Sequence, residues 1–168
     1  MNKKSKTLTL ILFFIYITAL SWIILFKMST DFSMLLGMKL RNINLIPFAG
    51  SAIVNGKADI SEIVLNIIAF VPFGLYMSML YKKAGFLQKV LPIAGVSLLY
   101  ETMQFVFAIG ASDITDLIGN TLGGVLGIGF FAVLSAIFGK KTVKILTILA
   151  SIATAAAILL LGLLIAAN

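Results

Sequence analysis

Long apolar runs recur along the chain, and short segments in which charged residues collect separate them. A helix that crosses a hydrocarbon layer of about 30 Å needs about 20 mostly apolar residues, which is the length of these runs. Five membrane-spanning helices are predicted, at Thr7 to Phe26, Ser61 to Tyr81, Val90 to Ala108, Asp113 to Phe138 and Val143 to Ala167. Because backbone groups in lipid must be satisfied within each helix, the pattern indicates an all-α polytopic membrane bundle in a single domain, residues 1–168.

The composition supports the membrane class, since 61% of residues are hydrophobic, only 11% are charged and the mean hydropathy is +1.13. The first apolar run follows Lys3, Lys4 and Lys6, as the apolar core of a signal peptide also would. Its apolar stretch is too long for that class, and no small-residue cleavage site follows. We therefore predict an uncleaved first span within residues 1–30.

The connection between the first two spans is long and predicts structure of its own. Ser29 or Asp31 is a candidate N-cap of a short helix that is apolar enough to lie in the membrane interface. Its apolar residues are Phe32, Met34, Leu35, Leu36 and Met38. Pro47 and Phe48 mark a candidate re-entrant turn, which at membrane depth must be covered by protein.

The lysines predict the orientation of the bundle. When five spans are threaded, nine of the thirteen basic residues fall on one side: Lys3, Lys4, Lys6, Lys82, Lys83, Lys89, Lys140, Lys141 and Lys144. By the positive-inside rule that side is cytoplasmic, which predicts a multi-pass protein of the plasma membrane with Met1 inside and Asn168 outside. Because this distribution accounts for the net charge of +7, no nucleic-acid partner is expected.

A few polar residues lie in or beside the apolar runs, and the same threading puts them near the outer side. Three of the six carboxylates fall between Glu101 and Asp116. An unpaired polar group in lipid costs free energy, so intramembrane polar residues indicate a functional site. The candidate ligand-binding residues in the spans are Asn66, Glu101, Gln104, Asp113, Asp116 and Asn120.

One side of the fourth predicted helix carries polar and small residues, which are Asp113, Asp116, Asn120, Gly123 and Gly127. With Gly119, the glycines form two overlapping G-x-x-x-G repeats, which allow another helix to approach closely. A similar stripe on the third span consists of Ser97, Glu101, Gln104 and Ala108. We expect these two faces to pack together. Simpler interpretations are plain helix packing for the glycines, an N-cap for Asp113 and a first-turn acid for Asp116.

Arg41 is the only arginine of the chain. A planar guanidinium suits bidentate pairing with a carboxylate or a phosphate, so its candidate partners are the outer carboxylates or a lipid headgroup. Those carboxylates are Glu62, Glu101, Asp113 and Asp116. On residue type alone, an ordinary interfacial arginine is an equal alternative.

Four strings in the middle of the chain carry a family resemblance. They are RNINLIPF at Arg41 to Phe48, LNIIAFVPFG at Leu65 to Gly74, YETMQF at Tyr100 to Phe105 and DITDLIGNTLGGVLG at Asp113 to Gly127. Together they resemble the VanZ-like family over about residues 40–130. The last span, 143–167, lies outside the resemblance.

The resemblance implies a small bacterial multispanning protein associated with reduced susceptibility to teicoplanin and related lipoglycopeptides. Its matched polar positions are Arg41, Asn44, Asn66, Glu101, Gln104, Asp113, Asp116 and Asn120. The chain departs from the family pattern in two places. Ala111 and Ser112 stand where a basic residue is expected before the first aspartate, and Gly119 stands where an aliphatic residue is usual.

The residue types limit the chemistry of the outer cluster. The chain has no histidine or cysteine, which excludes a Ser-His-Asp triad, a thiolate nucleophile, an ordinary zinc site and a disulfide. Carboxylates with amide oxygens can act as general acid and base, or they can bind a hard divalent cation such as Mg²⁺ or Ca²⁺. Such a cation is the only cofactor that these residue types suggest.

The sequence leaves three functions open. The first is a non-catalytic outward-facing site that binds the headgroup of a membrane lipid or a lipid-linked cell-wall precursor, or alters its display. The second is an intramembrane enzyme in which Glu101 acts with Asp113 or Asp116 on an outer-leaflet headgroup. The third is a structural or accessory membrane subunit whose polar cluster holds helices together. The oligomeric state is left open.

Overall fold

A computed structural model describes residues 3–26, 40–48, 53–54, 57–58 and 60–166. Within this part of the chain, five α-helices account for most residues: α1 Lys3–Phe26, α2 Ser61–Leu80, α3 Phe86–Phe107, α4 Ile114–Phe138 and α5 Thr142–Ala166. Four short strands lie between them: β1 Leu40–Asn44, β2 Ile53–Val54, β3 Lys57–Ala58 and β4 Ile109–Asp113. The prediction of an all-α membrane bundle of about five helices is confirmed.

Four described segments are long and apolar enough to cross a membrane, and the last of them, Ile114–Leu163, is 50 residues long. This segment contains α4 and most of α5. A 3₁₀ turn at Gly139–Lys141 joins these two helices. The chain reverses there. The hydroxyl oxygen of Thr9, near the start of α1, lies 3.2 Å from the hydroxyl oxygen of Thr147, near the start of α5. Helix α5 therefore returns beside α1 instead of prolonging α4.

The helix bounds agree with the sequence prediction to within a few residues. The largest differences are at the starts of α1 and α3, which begin at Lys3 rather than Thr7 and at Phe86 rather than Val90. Gly85 accounts for the start of α3, because its backbone N–H donates to the Gln88 side chain at 2.8 Å and so caps the helix one turn earlier. The predicted interfacial helix of residues 32–38, with its candidate caps Ser29 and Asp31, lies outside the described residues.

The closest helix contact is between α2 and α4, and glycines make it. A Cβ atom at Gly123 would overlap the backbone carbonyl of Ile67, and one at Gly127 would overlap that of Val71. Gly123 and Gly127 therefore pack against α2, whereas the predicted contact of this face with the third span is made at its polar end, where Asn120 donates to Ser97. The reason that the glycines meet α2 is that α2 has a glycine of its own at this contact: a Cβ atom at Gly74 would overlap the backbone carbonyl of Gly124, so both helices lack side chains where they meet.

The third span instead contacts the adjacent side of α4. Gly124 faces Ile93 of α3, and Asn120 reaches Ser97. Further along α3, Ser21 and Tyr100 share a hydrogen bond of 2.9 Å, which ties α1 to α3. Helix α4 therefore lies between α2 and α3, and its first residues meet the end of α3.

Candidate functional site

Two short parallel strands form the base of the site. β1 pairs with β4 in a register that runs from Leu40 opposite Ile109 to Asn44 opposite Asp113. β4 directly follows α3, from which it is separated by Ala108 in a left-handed conformation with φ of 55°. This turn folds β4 back over the last turns of α3, where two of the predicted polar residues lie.

Asp113 connects β4, α4 and β1. It is the N-cap of α4, where its Oδ1 accepts from the backbone N–H of Thr115 at 2.7 Å. Its Oδ2 accepts from Nδ2 of Asn44 at 3.0 Å. Both carboxylate oxygens thus have structural partners, although a carboxylate retains further lone pairs for a ligand.

Glu101 lies beneath the strand pair, and its side chain is only 4% exposed. Its Oε2 accepts from the backbone N–H of Asp113 at 2.8 Å. Its Oε1 is buried and has no hydrogen-bond partner within the part of the chain that the structure describes. A buried acceptor without a donor costs free energy, so this oxygen indicates a place for a donor group.

Asp116 lies one turn into α4, and it turns toward α2. Its Oδ1 accepts from Nδ2 of Asn66 at 2.8 Å, and both side chains are half-buried. The side chain of Asn66 therefore joins the start of α2 to the start of α4. Glu62 is exposed in the first turn of α2.

Gln104 and Asn120 are the most deeply placed amides of the predicted set, with exposures of 4% and 0%. Gln104 donates through Nε2 to the carbonyl of Ile24 at 3.0 Å, and Asn120 donates through Nδ2 to Ser97 Oγ at 2.9 Å. Each thereby joins two helices. Their side-chain carbonyl oxygens have no partner among the described residues, as for Glu101.

The segment after β1 is held by side chains as well. Asn44 Oδ1 accepts from the backbone N–H of Ile46 at 3.1 Å, which forms a local turn. Thr115 Oγ1 then accepts from the N–H of Phe48 at 2.9 Å, where Phe48 adopts a φ of 65° that is unusual for a large side chain. Pro47 and Phe48 therefore form a turn fixed to α4. Sequence reasoning missed Thr115, because a threonine at the start of a helix suggests only local capping.

The predicted residues thus fall into two groups. The structure connects Asn44, Asn66, Glu101, Asp113 and Asp116 at the junction of β1, β4 and the starts of α2 and α4. Gln104 and Asn120 lie beside this junction in helix contacts. For Arg41 the structure gives the backbone, which lies in β1 opposite Gly110, while its side chain lies outside the described part. No group of three or more acidic ligands that could hold a metal ion lies together among the described residues.

Comparison with known proteins identifies the family. The model of the VanZ/LLP1 family matches residues 13–138, which include most of α1, all of α2 to α4, β1 and β4. The chain belongs to this family. It is also 36% identical to Protein VanZ of Enterococcus faecium over 127 residues, which cover 76% of this chain and 75% of the relative. No solved structure matches the chain.

The VanZ family is associated with teicoplanin resistance. All eight predicted polar positions, from Arg41 to Asn120, lie inside the matched region, whereas α5 lies outside it. The sequence prediction of a VanZ-like protein is therefore confirmed, and the matched region coincides with the helices and strands that build the polar junction.

Proposed function

We propose that the junction of β1, β4 and α4 binds the headgroup of a membrane lipid or of a lipid-linked cell-wall precursor at the outer face of the membrane. Occupation or altered display of that headgroup lowers susceptibility to teicoplanin-type lipoglycopeptides. The outer location rests on the lysine distribution, which assigns the opposite end of the bundle to the cytoplasm.

The buried Oε1 of Glu101 is the observation that carries this proposal. A carboxylate that is 4% exposed and lacks a donor on one oxygen destabilises a membrane bundle, and such residues are rare unless they serve a function. A headgroup with hydroxyl or amide N–H groups supplies the missing donor. The half-buried side chains of Asn44, Asn66 and Asp116 border the same junction and remain within reach of the surface.

Arg41 is the residue that we propose for the phosphate of the headgroup. Its backbone lies in β1, opposite Gly110 of β4, three residues before Asn44. An arginine is the best single side chain for a phosphate, which both candidate ligand classes contain. Arg41 would hold the phosphate, while the oxygens of Glu101 and the neighbouring amides receive the donors of the headgroup.

Binding accounts for the geometry better than catalysis does. An acid and base pair on Glu101 and Asp113 requires a proton to move at each carboxylate. Both oxygens of Asp113 accept structural hydrogen bonds, and its N–H is the donor to Glu101, so this residue positions the strand and the helix. Asp116 likewise holds Asn66.

A binding measurement on purified protein in lipid nanodiscs tests the proposal. The probes are a polyprenyl-linked wall precursor and an extract of bacterial membrane lipids, each followed by mass spectrometry of the retained molecules. We expect Glu101→Gln to lower retention of one probe about tenfold or more. The control is Thr102→Val, which changes an exposed side chain one position along α3 and should leave retention unchanged. Equal retention by both variants would contradict the proposal, and release of a new product from either probe would favour the enzyme instead.

A further inference from the structure

A cavity lies at the end of the bundle that is opposite to the polar junction. It has a volume of about 390 Å³ and lies between the start of α1 and the connection from α2 to α3. Lys6, Lys82 and Lys83 line it together with Tyr81 and Met79. Lys6, Tyr81, Lys82 and Lys83 are exposed at its rim. Each carries a hydrogen-bond donor at the end of a flexible or amphipathic side chain, so an anion at this surface would have several donors within reach.

No carboxylate among the described residues lines this cavity. On the helix that leads to it, Glu62 lies in the first turn of α2, whereas Leu80 ends the helix beside the cavity. At a rise of 1.5 Å per residue these two positions are about 27 Å apart, beyond the range of effective pairing in salt solution. The described walls therefore gather positive charge at this place, which favours an anionic ligand.

An apolar groove begins at the same place. It has a volume of about 880 Å³ and runs between α1, α2 and α5, where Met79 lines both the groove and the lysine cavity. Along α5 its walls extend from Leu146 to Leu161, which corresponds to about 22 Å of helix. Among the polar side chains of the wall, Tyr16 donates its hydroxyl to the carbonyl of Ala69 at 2.7 Å, and Thr18 donates to the carbonyl of Phe14 at 3.0 Å. The groove thus offers an apolar surface about as long as three quarters of the hydrocarbon layer.

We propose that the lysine cavity and the groove together bind one anionic phospholipid of the leaflet on the lysine-rich side. Its phosphate lies between Lys6, Lys82 and Lys83 and accepts from the Tyr81 hydroxyl, while an acyl chain lies along the groove. Basic pockets between membrane helices bind anionic headgroups in this way. The proposal does not depend on the function of the polar junction, because it concerns the other end of the bundle and different residues.

Lipid retention by the full chain tests this site. The protein is reconstituted in nanodiscs that contain equal amounts of phosphatidylglycerol and phosphatidylcholine, and the lipids that remain bound after detergent extraction are counted by native mass spectrometry. The test variant carries Lys6→Gln, Lys82→Gln and Lys83→Gln. The control variant carries Lys140→Gln, Lys141→Gln and Lys144→Gln, which remove three lysines from the same side outside the cavity.

A preference of the unmodified protein for one bound phosphatidylglycerol is expected. The test variant should lose this preference by about tenfold or more, since each lysine near anionic lipid contributes about fivefold. The control variant should keep it. An equal loss in both variants would show general surface attraction and overturn the site, as would an unchanged preference in the test variant.

Filling the groove provides an independent arm of the test. Ala153 lines the groove on α5, and Ala153→Phe places a large side chain in it while all lysines stay intact. The variant should retain less phosphatidylglycerol than the unmodified protein. Unchanged retention of phosphatidylglycerol would show that no acyl chain lies in the groove and would overturn that part of the proposal.

Discussion

The side chain of Glu101 accepts a hydrogen bond from the backbone N–H of Asp113 at 2.8 Å, although 12 residues and a strand separate them. Asp113 in turn caps α4 with its own carboxylate. A buried residue of α3 thus fixes the point at which α4 begins.

Two substitutions of Glu101 should therefore separate the effect of losing its hydrogen-bond acceptor from the effect of losing its charge. Glu101→Gln keeps an oxygen acceptor for the Asp113 N–H, whereas Glu101→Ala leaves that N–H without a partner in a buried place. We expect Glu101→Ala to lower the free energy of unfolding by about 1–3 kcal/mol and Glu101→Gln to change it by much less. Thermal unfolding of the purified variants in detergent measures this, and equal destabilisation would show that the hydrogen bond to Asp113 does not hold α4.

Glycine substitutions on α4 should have different effects at two positions. Gly127→Ala places a methyl group against the carbonyl of Val71 and should destabilise the bundle by about 1–3 kcal/mol. Gly129→Ala meets nothing within 4 Å and serves as the control, with a change near zero or a small gain. Fraction folded against denaturant, followed by tryptophan fluorescence of Trp22, would distinguish them. A Gly127→Ala protein of unchanged stability would mean that α2 and α4 do not pack through this glycine.

Arg41 should not tolerate lysine if it holds a phosphate or a carboxylate. Arg41→Lys keeps the charge but loses the planar fork, so it should impair the proposed protection against teicoplanin nearly as much as Arg41→Gln. Lys57→Gln removes a charge from the same connection between α1 and α2 and is the control. Susceptibility is compared in cells with equal amounts of each variant in the membrane. If the Arg41→Lys protein lowers susceptibility as much as the unmodified protein does, only the positive charge at this position is needed, and bidentate pairing by Arg41 is contradicted.

The two ends of the chain should lie on opposite sides of the membrane. The lysines place Met1 in the cytoplasm, and an odd number of crossings then places Asn168 outside. Fusion of a reporter that is active only in the cytoplasm to each end gives the measurement. Signal at both ends, or at neither, would contradict five crossings.

The helices could be predicted because each depends on its own composition. A run of about 20 apolar residues is sufficient to define a span, and Gly85 with Gln88 explains the earlier start of α3. The strands could not be predicted in the same way. LRNIN and IGASD are five residues long, lack a strong alternating pattern, and pair across 69 positions, so neither segment contains the information about its partner.

The sequence predicted which polar residues gather at the site, but it did not predict which of them contact each other. Burial cost alone predicts that Glu101 and Asn120 lie in the protein interior, where they are 4% and 0% exposed. The contacts of Asp113 with Asn44 and of Thr115 with Phe48 depend on the strand pair, which the sequence does not predict. For the glycines, the motif predicted a close contact but not which helix makes it, since both α2 and α3 lie next to α4.

The pairing of β1 with β4 has a consequence for the order of biosynthesis. Leu40 leaves the ribosome 69 residues before Ile109, which at about 5–20 residues per second corresponds to about 3–14 s. During that interval α2 and α3 are made, while β1 has neither its strand partner nor the threonine and aspartate that later hold its end. The polar junction therefore closes late in synthesis, and a chain truncated after α3 would contain Asn44, Asn66 and Glu101 without the element that organises them.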